Sequence, residues 1–317
     1  MVVRIHEGSR ADEPGPLLMG QRRRGRAGYL RRRDLAGWLF VAPVLIFSVI
    51  FFLGPLLFAI VLSLHQWDMI SPVTQMTWVG FLHYVRLLQD PLFRLILRNT
   101  FAYTLGSLVF IPPLSLGIAF LLNARVRLQW LWRTLYFTPV VTSTVALSIV
   151  WTHLFDQNFG PINALLGDLH LPLQPWLSSP TEAMLVVISL SVWQSLGYYA
   201  IIFLAGLQGI PQELYEAGSL DGAGQWAQFR SITLPLLRTT TLFVIVIITI
   251  NALQVFVPIF VITNGGPVDT TDVVVLKMYD VAFNYLQMGT ASAMAMILFL
   301  IVLICTLIQF RLARTDN

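Results

Sequence analysis

The side chains in this sequence that could do chemistry sit inside long apolar runs. Between Ala183 and Leu207 the run is interrupted by Ser191, Trp193, Gln194, Ser195 and Tyr198, and between Thr239 and Ile262 by Asn251 and Gln254, one helical turn apart. Ser191, Ser195 and Tyr198 recur at i, i+4 and i+7, and Gln194 and Tyr198 at i and i+4, so a helix collects them toward one side. Amides bond hydroxyls and aromatic rings cover apolar ring faces, so this mixture suits reversible recognition of a sugar or polyol whose hydration must be replaced. Each residue also has a purely structural use: a serine bonds back to its own helix, an aromatic packs, and a buried amide is satisfied by a neighbouring helix.

Bond-making chemistry finds no support. His65, His83, His153 and His170 are scattered without metal-ligand spacing, and Asp68, Asp90, Asp156, Asp168 and Asp269 are spread over three loops without pairing. Lys277 is the only lysine and has no glycine-rich loop around it, which excludes a P-loop ATPase. A single cysteine, Cys305, lies in an apolar run and offers neither a disulfide nor a thiolate metal site. The chain reads as no enzyme, with no metal and no cofactor of its own.

What must position those polar groups is a membrane. Hydrophobic residues make up 56% of 317 and charged ones 11%, with a mean hydropathy of +0.72, far too apolar for a soluble domain. Six runs are long enough to span: Leu35 to Leu64, Thr100 to Leu122, Thr134 to Leu154, Ala183 to Leu207, Thr239 to Ile262 and Ala291 to Phe310. The expected fold is all-α, a polytopic protein with six transmembrane helices, because only helices satisfy their backbone within one segment. Pro43, Pro55, Pro112, Pro113 and Pro139 fall in or beside these runs as sites for kinks. His153 is the one ionisable His, Asp, Glu, Lys or Arg in them, which weakens a proton-driven mechanism. A cytoplasmic N-terminus puts 16 Lys and Arg inside and four outside, so both termini are expected in the cytoplasm.

The first 34 residues carry nine arginines. Beside an apolar span, such a tail reads as a topology determinant touching anionic lipid rather than nucleic acid. The following apolar run exceeds a signal-peptide core, and no cleavage site follows it. Four parts result: an Arg-rich cytoplasmic tail (1–34), a first span with its external loop (35–98), a core transmembrane domain (99–310) holding a cytoplasmic loop at 208–238, and a cytoplasmic C-terminus (311–317).

That loop, Ile210 to Pro235, is the longest polar interruption in the C-terminal half. Pro211 suits a first helical turn, and Glu213 and Glu216 favour the positive end of the helix dipole. The helix runs to Leu220, Asp221-Gly222 turns the chain, and a second helix from Ala223 to Ile232 is limited by Pro235. Leu214, Ala217 and Gly218 share a face whose small residues admit another protein closely.

Glu216, Ala217, Gly218, three residues, Gly222, nine residues, then Ile232, Thr233, Leu234 and Pro235 resemble the loop of the membrane subunits of binding-protein-dependent ABC importers. Gly218 stands where that family usually has Ala, predicting a slightly softer helix. The resemblance implies a type I ABC importer transmembrane domain in a bacterial or archaeal cytoplasmic membrane. It also implies that Glu216, Ala217, Gly218, Asp221 and Gly222 couple to a separate ATPase, which binds ATP and Mg. Phe52 to Pro55, Val79 to Phe81, Asn99-Thr100, Leu135 to Pro139, Phe159 to Asn163, Trp193 and Thr263 to Pro267 extend the likeness over residues 35 to 310. They make it most similar to the sugar-uptake branch, and to the first of its two unlike membrane subunits. Implied partners are a second permease subunit, two ATP-binding subunits, an external solute-binding protein and a sugar. In maltose-type subunits the positions matching Thr144, Ser191, Trp193, Ser195, Tyr198, Asn251 and Val255 line the sugar site. Ser195 replaces Gly, and Ile248, Asn251, Ala252 and Val255 replace a more polar group, pointing away from maltose itself while keeping a sugar or polyol. The segment Asp272 to Gln287 reads as one outer helix that, with Phe159 to Asn163, would face the binding protein. The alternatives are a gradient-driven secondary transporter, an importer of a non-sugar solute, and a non-transporting scaffold.

Overall fold

The computed structural model describes residues 38, 40–124 and 129–314. The Arg-rich tail, Arg125, Arg127 and the last three residues lie outside the described residues. The chain divides into two compact units, Met1–Phe58 and Ala59–Asn317.

Helix α1 (Phe40–Ser63) is apolar all round, and Phe40 and Phe52 are 86% and 67% exposed, as a lipid-facing helix requires. It carries a π turn at Val49–Leu53, where Gly54 N–H bonds Val49 O. Pro55 explains it: proline lacks an N–H and its ring clashes with the carbonyl four residues back, and one widened turn relieves both. Strands β1 (His65–Gln66) and β2 (Thr77–Trp78) pair antiparallel, His65 opposite Trp78, a small departure from an all-helical chain that composition did not signal.

Helix α2 (Leu82–Gln89) leads into α3 (Pro91–Asn123), 33 residues starting well before the expected Thr100. The signal was local: Asp90 Oδ1 accepts from Leu92 N at 2.9 Å and Pro91 occupies the first turn, an N-cap with its favoured follower. At 1.5 Å per residue α3 is about 50 Å long against a hydrocarbon core of about 30 Å. The helix is therefore longer than one crossing needs, and its early turns carry Arg94 and Arg98.

The expected continuous third span is two helices, α4 (Gln129–Val141) and α5 (Thr144–Leu154), bent by 98°. Pro139 removes one helical N–H, and Thr142 Oγ1 bonds back to Thr138 O at 2.7 Å, which bends helices. Ser143 is no longer helical, and its carbonyl accepts from Leu147 N at 3.0 Å to start α5. After α5 come α6 (Pro161–Asp168) and then the long α7 (Ala183–Gln208).

The loop forms α8 (Gln212–Leu220) and α9 (Gln225–Leu236). Pro235 does not end α9, because a π turn at Phe229–Thr233 absorbs it. The break comes later, as α9 meets α10 (Arg238–Leu253) at 65°. The expected fifth span to Ile262 stops at Gln254, and α11 (Val257–Ile262) is separate; Pro258 cannot donate to a continuing helix. The expected outer helix from Asp272 is only α12 (Val274–Tyr279) with a π turn at Asp280–Asn284, and Leu286 at φ +56° breaks it before α13 (Met288–Arg314).

Helix α7 lies at the centre, packed on α3, α4 and α10. One core joins Tyr103 and Ile111 of α3, Val187 and Phe203 of α7, and Ile248 of α10. A second joins Phe93 and Ile96 of α3, Val274 of α12 and Met294 of α13.

Candidate functional site

Where α3, α7 and α10 cross lies a cavity of about 140 Å³ lined by Tyr103, Ser107, Ser191, Ser195, Tyr199 and Asn251 among others. Tyr103 Oη donates to Ser191 Oγ at 2.6 Å, and Ser191 bonds back to Val187 O at 3.2 Å. Ser195 Oγ donates to Ser191 O at 2.7 Å, and Asn251 Nδ2 reaches Tyr199 Oη at 3.4 Å. The serines thus combine helix back-bonding with a cavity wall. Tyr199 faces the cavity, while Tyr198 is 45% exposed and meets Tyr199 edge to face at 5.1 Å.

A second group lies between α5 and α7. Gln194 Nε2 donates to Thr144 Oγ1 at 3.0 Å, and Trp193 stacks on Trp151 at 4.9 Å. Gln254 is exposed at the end of α10 and Val255 is buried in the core. Ser191, Ser195 and Asn251 are therefore brought together, Thr144 with Gln194 forms a separate contact, and Val255 packs. Tyr103 and Ser107 of α3 escaped sequence reasoning, although their i, i+4 spacing in an apolar run is the same signal that marks Ser191 and Ser195.

Tyr198 and Asn251 lie within the apolar helices α7 and α10, Gln254 caps α10, and all three are exposed on the single chain. Polar groups there are covered by protein or water rather than by lipid.

At the other end of α7, the loop is tied within itself. Tyr215 Oη and Thr233 Oγ1 share a hydrogen bond at 2.9 Å, Gln228 Nε2 donates to Ser219 Oγ at 2.8 Å, and Ala223 N donates to Gly218 O at 2.8 Å. Gly222 turns the chain at φ +78°, a conformation that glycine adopts without strain. Glu216 accepts from Gln212 Nε2 at 2.9 Å. A Cβ on Gly218 would lie 3.2 Å from Ile232 Cδ1, so glycine here also lets α9 close on α8. Helix α8 buries no residue, and Leu220 and Trp226 are 90% and 72% exposed, an apolar surface on an otherwise polar loop.

In the first half of α3, Asn99 Nδ2 donates to Asp269 O at 2.8 Å and Asp272 O at 3.1 Å, fastening the 269–272 turn to α3. Asp272 is buried with Lys277 Nζ 3.9 Å away, and burial outweighs that cation to push its carboxyl up to about 6. Such an acid binds more protons folded than unfolded, so it costs stability as pH rises from the ordinary carboxylate value through about 6. Asp272→Asn is expected to remove that slope. Melting temperatures of the purified protein between pH 4 and 7 should fall less with pH for the variant than for the parent, and equal slopes would contradict the assignment.

Among the described residues no His, Cys, Asp and Glu group could hold a metal. Four helices are long and apolar enough to cross a membrane, or six with each bent pair taken as one span.

The chain matches the family of binding-protein-dependent transport system inner membrane components over residues 111–315. It is 34% identical over 292 residues to the probable ABC transporter permease protein YurN of Bacillus subtilis, covering 91% of this chain and 99% of that one. It is 32% identical over 295 residues to the lactose transport system permease protein LacF of Rhizobium radiobacter, covering 91% and 97%. Among solved structures it is similar to a bacterial ABC transporter involved in import of the acidic polysaccharide alginate, with TM-score 0.79, 25% identity and coverage of 92% and 99%. Interrupted membrane helices around an uncharged polar cavity, a self-tied loop beneath them and these matches lead to one conclusion: the chain belongs to the inner membrane components of binding-protein-dependent transport systems, the permease subunits of ABC importers.

Proposed function

We propose that this chain is one permease subunit of an ATP-driven importer of sugars, mono- to oligosaccharides or related polyols. The observation that carries the reading is the cavity between α3, α7 and α10. It offers hydroxyls, an amide and tyrosine rings with no charged side chain lining it, the chemistry of a neutral hydroxylated solute. The lactose permease relative and the alginate transporter support a saccharide. Asn251, Tyr198 and Gln254, exposed on the single chain, support a second permease subunit that closes the pathway between the two.

In this reading the loop faces the cytoplasm, as do both termini, and Glu216, Ala217, Gly218, Asp221 and Gly222 couple to one of two ATP-binding subunits that hold ATP and Mg. An external binding protein delivers the sugar. ATP-driven closure of the ATPases, passed through α8, opens the pathway alternately to each side. Thr144, Trp193 and Gln194 keep a second part of the pathway in register, with Val255 packing behind it.

The test is sugar uptake into proteoliposomes holding the whole importer. Uptake is expected to require enclosed ATP and the binding protein, and Asn251→Ala is expected to weaken it by about tenfold, the worth of one well-placed hydrogen bond. Uptake driven by an ion gradient without ATP would overturn the reading.

A further inference from the structure

The outer face holds a second polar cavity, of about 240 Å³, well away from the one between α3, α7 and α10. Its walls come from β1 and the turn after it, from α2, and from the first residues of α13. Its floor is built rather than incidental. His83, 6% exposed, sets Nε2 3.1 Å from His65 O and Nδ1 3.1 Å from Thr290 Oγ1. A carbonyl can only accept, so Nε2 carries a proton and the ring pins α2 to β1 and α13 at once. Gly289 completes the junction, since a Cβ there would lie 2.1 Å from His65 O.

Into this cavity face Gln66, Trp67, Asp68, Arg86, Tyr285 and Gln287. Trp67 is fixed by its indole N–H, which donates to Ser71 O at 2.8 Å, and its ring lines the cavity. Asp68 is held below the ordinary carboxylate range by the Ser71 N–H, with Ser71 Oγ and Ile70 N donating as well, and is therefore ionised. Among the described residues the ion pair is Lys277 with Asp272, so Arg86 and Asp68 stand in one cavity without pairing. One cation and one anion cancel. A neutral polyhydroxyl uses both charges at once: it can accept from Arg86, donate to Asp68 and bond both amides, bringing no net charge to a site that has none.

We propose that this cavity is an outer binding site for a single uncharged sugar ring, occupied before the solute enters the membrane. Trp67 supplies the stacking face, Arg86 and Asp68 the charged hydrogen bonds, and Gln66 and Gln287 the amides. The site rests on the reading of this chain as a sugar permease and adds a station outside the spanning helices.

The test uses the complete importer in lipid nanodiscs, without its binding protein, titrated calorimetrically with glucose, lactose and maltotriose. Two classes of site are expected for the transported sugar. Arg86→Gln combined with Gln287→Ala should remove one class and leave the other, while Asn251→Ala does the reverse. In uptake the double variant should raise KM by about tenfold with kcat nearly unchanged, as lost charge-assisted bonds imply. Unchanged stoichiometry in the double variant overturns the outer site and leaves the importer reading standing. A double variant that keeps both classes but binds the solute-binding protein more weakly overturns it too, and assigns the cavity to protein docking. If the parent complex binds no sugar, both readings fall.

Discussion

Glu216→Ala is expected to leave an importer that assembles and binds ATP but whose hydrolysis no longer rises with substrate. Glu216 is exposed on α8 and its one side-chain bond is from Gln212, so truncating it removes only that bond and its contact with whatever α8 meets. A coupling between two sites is typically worth about 1–3 kcal/mol, or a factor of about 5–150. Substrate stimulation should shrink by that order while the melting temperature stays close to the parent's. Gly222→Ala should act in the same direction by another route. At φ +78° an alanine is strained by about 1–2 kcal/mol, although open space surrounds the position. The turn would relax and re-aim α8 instead of clashing. Stimulation that survives both substitutions would mean that the loop is not the coupling element.

Gly197→Ala should be a strongly damaging single methyl within the spanning helices. Its Cβ would stand 2.1 Å from Tyr136 O and 3.2 Å from Val140 Cγ2, and a backbone carbonyl cannot swing aside as a side chain can. Helices α4 and α7 would have to separate, at a cost of about 1–3 kcal/mol or more for overpacking a buried contact. The separation would also stretch Gln194 Nε2 from Thr142 O, 3.3 Å, and from Thr144 Oγ1, 3.0 Å, so transport should suffer along with stability. Gly117→Ala is the control, because no atom lies within 4 Å of its added Cβ; alanine there should be neutral or slightly stabilising. Comparable thermal melts for the two variants would contradict the close crossing of α4 and α7.

How much of this was legible follows from which residues act locally. The loop could be read because Pro211, the two glutamates and Asp221-Gly222 each decide the backbone of their own neighbourhood, and α8 ends at Leu220 as its residues indicate. The start of α3 was equally local in Asp90-Pro91, yet the hydropathy of the polar stretch from Arg94 to Asn99 concealed it. Apolar runs gave the number of crossings but not their continuity. Thr134 to Leu154 and Thr239 to Ile262 are each apolar enough to be drawn as one span, and both break near hydroxyls or prolines that rearrange the backbone. The converse holds at Pro55 and Pro235, where a π turn keeps the helix going.

Side-chain partnerships between distant segments were the least legible. Tyr103 meets Ser191 across 88 residues and Asn99 meets Asp272 across 173, and no local pattern announces either. Tyr198 and Tyr199 are adjacent, so a shift of 100° around α7 decides which one faces the cavity, and helical spacing alone does not fix that rotation. Gly197 and Gly289 look like any other glycine in an apolar stretch until the opposing carbonyl is in place.

The most direct test of the account is ATP hydrolysis by the chain reconstituted with its ATP-binding subunits, second permease subunit and binding protein, measured across neutral and acidic mono-, di- and oligosaccharides. Stimulation by an uncharged sugar is expected, lost in Glu216→Ala and weakened in Asn251→Ala. An assembled complex whose hydrolysis is stimulated by no saccharide, or by an amino acid or ion instead, would contradict it.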